Sequence, residues 1–141
     1  VGLTSVQLHG EETPAFMEEL AEQWPRGRRI SVIKTVLVNQ DFAAKFSHVS
    51  RNYANIDCIL LDSGAGSGRT FDWDAVRPLL RKTTKRLIVA GGLNPENVGD
   101  AIRKFAPWGV DVASGVEREP GRKDPSKLRA FVAAVRKAEQ S

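Results

Sequence analysis

Leu87-Ile88-Val89-Ala90-Gly91-Gly92 is an apolar run that ends in two glycines, and Val110-Asp111-Val112-Ala113-Ser114-Gly115 is a second run of this kind further along the chain. The first run is followed by Asn94-Pro95, which is typical of a helix start. Glycine lets a ligand approach the backbone where a side chain would block it, and free N–H groups at such turns attract phosphate. Two such turns at neighbouring strand ends predict one phosphate site, formed by Gly91, Gly92, Ser114 and Gly115. Tight turns that bind no ligand remain the alternative.

Five segments have the composition of strands, and several of them are continuously apolar. They are Ser5–His9, Ile30–Val36, Asp57–Asp62, Arg86–Ala90 and Gly109–Ser114. Continuous rather than alternating apolar residues indicate strands that are covered on both faces, as in parallel sheets. Helical segments follow the strands, so the sequence predicts an α/β fold built from successive strand–helix units in a single domain, residues 1–141.

Two architectures fit this order of elements. An open doubly wound sheet needs no more than five strands, whereas a complete (β/α)8 barrel usually needs about 200 residues or more. The chain has 141 residues and begins, without a methionine, a few residues before its first strand. We therefore expect it to be the carboxyl-terminal portion of a longer protein.

The helix starts are marked by capping residues. Thr13-Pro14, Asp41, Asp72, Asn94-Pro95 and Pro125 are predicted to begin the successive helices. The last helix is predicted to turn its apolar residues Leu128, Phe131, Val132 and Val135 to the core.

Composition limits the class of protein. Hydrophobic residues make up 41% and charged residues 27%, as in ordinary globular proteins, and no apolar run approaches the ~20 residues that cross a bilayer. The single cysteine, Cys58, excludes an internal disulfide, and with two histidines it is a poor set of zinc ligands. These features predict a cytoplasmic protein with no membrane partner.

The net charge of +4 does not by itself predict nucleic-acid binding, because the basic residues are scattered. Two small clusters, Arg26 with Arg28-Arg29 and Arg81-Lys82 with Lys85-Arg86, fall where helices are expected to end. Cations at those positions complement the helix dipole. The sequence therefore predicts no nucleic-acid partner, and its mild positive charge suits a small anionic substrate.

Several polar residues end the predicted strands. Asp62 follows an apolar run and is a candidate acid, and His9 is a candidate substrate contact. Asp111 stands among apolar neighbours, which predicts a buried carboxylate that orients a neighbour. Cys58 is expected in the core, and Lys34 is expected to be a paired lysine at a strand end.

The segment Ser63–Thr70 is rich in glycine and nearly matches a P-loop. Ser63 stands where that motif has glycine, and Arg69 stands where it has the lysine that reaches the β- and γ-phosphates. The pattern favours a lid over an active site, and a nucleotide-binding loop remains an alternative.

Six motifs in order make a family resemblance specific. They are Val6-Gln7-Leu8-His9-Gly10-Glu11, Leu60-Leu61-Asp62-Ser63, Gly66-Ser67-Gly68-Arg69-Thr70-Phe71-Asp72-Trp73, Ala90-Gly91-Gly92-Leu93-Asn94-Pro95-Glu96-Asn97-Val98, Val110-Asp111-Val112-Ala113-Ser114-Gly115-Val116-Glu117 and Pro120-Gly121-Arg122-Lys123-Asp124. Together they closely resemble the phosphoribosylanthranilate isomerase family of tryptophan biosynthesis. The resemblance covers essentially the whole chain.

The resemblance implies a TIM barrel, of which this chain is similar to strands four to eight. It also implies an Amadori rearrangement of the phosphosugar N-(5-phosphoribosyl)anthranilate to the 1-deoxyribulose phosphate, with no metal or organic cofactor. Asp62 matches the general acid, which protonates the furanose ring oxygen. Gly91, Gly92, Ser114 and Gly115 match the phosphate site at the last two strands, and His9 and Asp111 match positions near the substrate.

One feature of the family has no counterpart in these residues. The family's general base is a cysteine at the end of the first barrel strand, and Cys58 has a different sequence context. The 141 residues alone are therefore expected to be nearly inactive. Their first and last strands would be exposed sheet edges, which predicts self-association. A non-catalytic phosphosugar-binding module remains the alternative function.

Overall fold

The computed structural model describes residues 2–24, 29–64 and 71–140. Its main sheet has five parallel strands in chain order, namely β1 (Ser5–Leu8), β2 (Ser31–Leu37), β3 (Cys58–Asp62), β4 (Arg86–Val89) and β5 (Gly109–Val110). A short antiparallel pair, β6 (Glu117–Glu119) and β7 (Arg122–Lys123), follows it. The predicted parallel α/β fold is confirmed. Residues 65–70 of the predicted lid, together with Arg26 and Arg28, lie outside the described residues.

The helices are α1 (Pro14–Glu22), α2 (Phe42–Asn52), α3 (Trp73–Leu80), α4 (Val98–Phe105) and α5 (Pro125–Glu139). Three of them begin at a side-chain cap. The Thr13 hydroxyl accepts from the backbone N–H of Phe16 at 3.2 Å, and the carboxylates of Asp72 and Asp124 accept from the first turns of α3 and α5. Asp41 occupies the cap position of α2 without a side-chain cap bond.

Strands β1 to β4 match their predicted bounds to within one residue at each end, whereas two elements differ by more. Helix α4 begins at Val98 rather than directly after Asn94, because the Asn94 carboxamide accepts from the backbone N–H groups of Glu96 and Asn97, both at 3.0 Å, and closes a local turn first. Strand β5 ends at Val110 rather than at Ser114, because the chain leaves the sheet to form a short 3-10 turn at Ser114–Val116.

The helices lie on one face of the sheet. Buried residues of α1, α2 and α3 pack with Val36 and Leu61, and buried residues of α4 and α5 pack with Val89, which shares that face. The opposite face has its own small core, made of strand residues and Ala90, and no helix residue belongs to it within the described ranges. A doubly wound sheet has helices on both faces, so this layering favours the barrel type.

Part of the apolar surface of α5 is not covered by any of the residues that the structure describes. Phe131 is buried, but Leu128 is 39% exposed and Val132 is 50% exposed, so the prediction that all of them face the core is wrong for these two. The reason is position, because α5 packs mainly on α4 beside the edge strand β5 and nothing in the described chain covers its far side. None of the described helices has the length and apolar content required to cross a membrane.

Candidate active site

The carboxyl ends of β3, β4 and β5 lie side by side at one edge of the sheet. Leu37 and Asp62 are register partners at the ends of β2 and β3. Beyond them, the backbone N–H of Ala90 donates to Leu61 at 2.8 Å, and that of Asp111 donates to Val89 at 2.9 Å. Asp62, Ala90 and Asp111 therefore follow one another across the carboxyl edge of the sheet, which is where α/β proteins bind their ligands.

A cavity of about 120 Å³ opens at this edge. It brings together most of the predicted site residues, namely Asp62, Gly91, Gly92, Asp111 and Ser114, and it is also lined by Gly64. Both predicted phosphate turns therefore share one opening with the predicted acid. Pockets at this edge are the expected place for a phosphate held by backbone N–H groups.

Asp62 lies directly against the first glycine turn. Gly91 has a φ of +79°, and a Cβ on it would stand 2.3 Å from the Ser63 hydroxyl and 2.8 Å from the Asp62 carboxylate. Only glycine fits both this backbone conformation and this space. The Asp62 carboxylate, which is half-buried, accepts from the backbone N–H of Gly64 at 3.0 Å.

Ser63 belongs to the predicted lid segment and to the motif that contains Asp62, and in the structure it contributes a buried hydroxyl beside Gly91. Within the described part of the chain, its oxygen has no hydrogen-bond partner. A buried hydroxyl without a partner is unfavourable, which makes this oxygen a candidate hydrogen-bonding group beside Gly91, although Ser63 itself does not line the cavity.

The two glycine turns are joined by direct backbone contact. A Cβ on Gly115 would stand 1.8 Å from the carbonyl oxygen of Leu93, so the second turn closes against the first with no room for a side chain. Asn97 supports the first turn, because its carboxamide donates to the Gly92 carbonyl and accepts from the Asn94 N–H. This role of Asn97 was not predicted, although a second asparagine three residues after the predicted cap is a signal for it.

Asp111 lies at the predicted edge of the sheet, but its side chain is not buried as predicted. Its side chain is exposed and lines the cavity, so the expectation of a buried orienting carboxylate is wrong. Strand β5 has only two residues and lies at the edge of the sheet. The apolar residues next to Asp111 in the sequence therefore do not enclose its side chain.

His9 lies apart from this cavity. It is exposed at the end of β1, with β2 between its strand and that of Asp62, and it lines a separate cavity of about 90 Å³ with Lys34 and Lys45. Its role as a substrate contact stays a prediction. Cys58 is buried as expected, and burial raises the pKa of its thiol, which suits a core residue.

Lys34 is more deeply buried than a strand-end lysine usually is, with a side chain only 5% exposed. Its ammonium donates to the Gly10 carbonyl at 2.5 Å and to the Glu12 carboxylate at 2.6 Å. Tyr53 donates its hydroxyl to the Glu12 carbonyl at 2.7 Å. The predicted pairing of Lys34 is confirmed. The bonds of Lys34 and Tyr53 to Gly10 and Glu12 hold the loop that follows β1 in place.

Glu12→Gln is expected to lower the free energy of unfolding by about 1.5–3 kcal/mol, because it removes the charged acceptor of a buried ammonium. Burial alone would raise the pKa of Glu12, but hydrogen bonds from Lys34 and from two backbone N–H groups outweigh it and lower the pKa below the ordinary 4.5. The carboxylate therefore stabilises the fold above about pH 4.5, and this contribution is lost as the pH falls through the lowered pKa.

Urea unfolding at a series of pH values measures this effect, and Glu11→Gln is the matched control. Glu11 is 88% exposed and pairs with Lys45 across 3.1 Å, so its loss should change the unfolding free energy by less than about 0.5 kcal/mol. Two outcomes would contradict the stabilising role of the ionised Glu12 carboxylate. One is an equal loss of unfolding free energy in both variants, and the other is a greater stability of wild type over Glu12→Gln that persists at acid pH.

The chain is similar in sequence and in structure to proteins of one known family. The family model for N-(5'-phosphoribosyl)anthranilate (PRA) isomerase matches residues 1–134. The chain is 44% identical over 144 aligned residues to the N-(5'-phosphoribosyl)anthranilate isomerase of Methanopyrus kandleri, and the match covers 94% of this chain and 64% of that protein. The crystal structure of the isomerase from Thermotoga maritima superposes with a TM-score of 0.76 at 40% identity, covering 96% of this chain and 62% of that one.

A further crystal structure of a phosphoribosyl anthranilate isomerase contains reduced 1-(O-carboxyphenylamino)-1-deoxyribulose 5-phosphate. It superposes with a TM-score of 0.74 at 38% identity, covering 96% of this chain and 60% of that one. The chain therefore spans a little under two thirds of the length of the proteins it matches.

A parallel sheet with its helices on one face and a polar cavity at its carboxyl edge defines the class, a protein of TIM-barrel type. The family model and the curated relatives then assign it within that class. The chain belongs to the N-(5'-phosphoribosyl)anthranilate isomerase family.

Proposed function

We propose that this chain contributes the general acid and the phosphate site of a phosphoribosylanthranilate isomerase of tryptophan biosynthesis. The observation that supports the proposal is that Asp62 and the Gly91-Gly92 turn line one cavity, with the carboxylate 2.8 Å from the point where a Cβ on Gly91 would stand. A relative's structure with a bound phosphosugar analogue supports the same ligand class for this chain. The cytoplasm, where amino-acid biosynthesis takes place, is the proposed location.

Asp62 acts as the acid in this reaction. Its carboxyl group protonates the furanose ring oxygen, the ring opens to a Schiff base, and a base then removes the proton from C2 of the sugar. Collapse of the resulting enamine gives the ketose. No metal or organic cofactor takes part in this proposed sequence of proton transfers.

The phosphate of the substrate lies at the joined glycine turns, Gly91-Gly92 and Ser114-Gly115. Their backbone N–H groups offer donors that need no reorganisation, and the small side chains leave room for the phosphate oxygens. Asp111 and His9 contact the remainder of the substrate along the same edge of the sheet.

The cavity is too small for the whole substrate. Its volume of about 120 Å³ is below the ~300–1,000 Å³ of typical small-molecule pockets, so it accommodates the phosphate and part of the sugar. The anthranilate ring and the general base therefore lie beyond the described cavity. In the proposed barrel, the present strands are the fourth to eighth, and the base cysteine comes from the first.

The edges of the sheet agree with a partial barrel. Strands β1 and β5 are the two edges, and α5 exposes Leu128 and Val132 beside β5. The missing strands and their helices cover these surfaces in the complete barrel. Without them, two open edges and an apolar helix face favour association between copies of the chain.

Residues 1–141 alone are expected to convert N-(5'-phosphoribosyl)anthranilate several orders of magnitude more slowly than a complete family member, because they lack the catalytic base. The same residues joined to the amino-terminal third of the Methanopyrus kandleri relative should convert the substrate. Turnover is measured for both proteins, and light scattering reports whether the shorter one self-associates.

The two outcomes against the proposal are distinct. Rapid turnover by residues 1–141 as a soluble monomer would show that no further segment supplies the base. Binding of substrate without turnover by the completed barrel would instead support a phosphosugar-binding module.

A further inference from the structure

We propose that Gln7 is a positioning residue that keeps the proton of neutral His9 on Nδ1, so that His9 presents an N–H donor to the substrate. The tautomer follows from the hydrogen bonds of this chain, and its use in catalysis rests on the proposed function. Gln7 lies on β1, two residues before His9, so both side chains project from the same face of the sheet.

The Gln7 carboxamide nitrogen has two neighbours. It lies 2.8 Å from Nε2 of His9 and 3.3 Å from the hydroxyl oxygen of Thr35. A carboxamide nitrogen carries two hydrogens and accepts none, so it donates one to each neighbour. Nε2 of His9 is then an acceptor, and in the neutral ring the single hydrogen must be on Nδ1.

Thr35 anchors this arrangement. It is only 6% exposed, and with Lys34 it is one of the buried polar residues of β2, the strand that pairs with β1. Consecutive residues of a strand face opposite sides of the sheet. Thr35 therefore holds the end of β1 from one face through Gln7, while Lys34 holds the following loop from the other face through Gly10 and Glu12.

The free nitrogen of His9 is available to a ligand. The side chain is exposed, and within the described part of the chain only Nε2 makes a hydrogen bond. An Nδ1–H group on a neutral ring binds an oxygen atom of a phosphosugar or of its aromatic carboxylate. A substrate atom that needed a base would instead require the opposite tautomer, so Gln7 selects a donor role for His9.

The second histidine provides an internal reference. Nδ1 of His48 lies 2.9 Å from the carboxamide nitrogen of Asn52, which also donates to the His48 carbonyl at 2.9 Å. The same reasoning makes Nδ1 of His48 the acceptor and puts its hydrogen on Nε2. The two histidines of these 141 residues are therefore expected to be opposite tautomers.

Long-range ¹H–¹⁵N correlation spectra of the protein that carries this chain, recorded at about pH 8.5, distinguish the tautomers. Wild type should give the Nδ1–H pattern for His9 and the Nε2–H pattern for His48. Gln7→Glu should reverse His9 to Nε2–H, because a carboxylate only accepts, and should leave His48 unchanged. A wild-type His9 with its hydrogen on Nε2, which corresponds to the reversed Gln7 carboxamide, would overturn the proposal.

Kinetics test the positioning role separately. Gln7→Glu should raise KM about tenfold with a smaller change in kcat, because the substrate loses the hydrogen-bond donor that His9 provides. Gln7→Leu, which removes the hydrogen bond without imposing a tautomer, should give a mixed His9 pattern and a smaller rise in KM. If wild type has the Nδ1–H tautomer but KM is unchanged in both variants, the positioning role is overturned. Absence of isomerase activity in the complete wild-type enzyme would instead count against the proposed function itself.

Discussion

Asp62→Asn is expected to lower kcat for the isomerisation by about 10²- to 10⁴-fold, the range that a positioned general acid contributes. Asparagine keeps the size of the side chain, and its carbonyl oxygen can still accept from the Gly64 N–H, which now lies 3.0 Å from the carboxylate. What asparagine lacks is an acidic proton for the ring oxygen. KM should change little, because the proposed phosphate site consists of backbone N–H groups of the glycine turns, which this substitution leaves in place.

Steady-state turnover of N-(5'-phosphoribosyl)anthranilate by the complete enzyme measures this effect, and Asp41→Asn is the control. Asp41 is also a carboxylate that follows a strand of the same sheet, but it precedes α2, makes no side-chain cap bond and does not line the cavity. Its substitution should leave kcat unchanged. Wild-type turnover in Asp62→Asn, or equal losses in both variants, would remove Asp62 from the role of acid.

The sheet could be predicted from the sequence because its signal is local. Leu60 and Leu61 are neighbours that face opposite sides, and both are buried, which is why an unbroken apolar run indicated a strand covered on two faces. The meeting of Asp62 with Gly91 followed from the same logic, since the carboxyl ends of parallel strands lie at one edge.

The remaining features depend on contacts between residues far apart in the chain. Lys34 and Glu12 are 22 residues apart, and nothing in either local sequence indicates that the loop after β1 returns over β2. The exposure of Asp111 and Val132 depends on which strand is at the edge of the sheet, a property of the whole fold. Local sequence patterns therefore predicted the helices, the strands and the residues at the strand ends. Which side chains are buried near the edge of the sheet could be seen only in the assembled structure.

Gly115→Ala is expected to separate the two phosphate turns. The added Cβ would stand 1.8 Å from the Leu93 carbonyl oxygen and 3.0 Å from the Asn94 Cα, both backbone atoms that cannot rotate away. The turns must therefore move apart by more than 1 Å, roughly the displacement that costs about 10²-fold in a positioned site. We expect KM for the phosphosugar to rise by about that factor and the free energy of unfolding to fall by about 3 kcal/mol.

Gly109→Ala is the matched control for this change. It adds the same methyl group to the same part of the chain, but there the Cβ meets only the Ile88 side chain, at an ordinary 3.6 Å. Its effect on unfolding should stay below about 1 kcal/mol, with KM unchanged. Urea unfolding and inorganic phosphate titration compare the variants with wild type. If Gly115→Ala bound phosphate as tightly as Gly109→Ala, the contact between the two turns would not be what forms the phosphate site, and the pairing of acid and phosphate in one cavity would lose its structural basis.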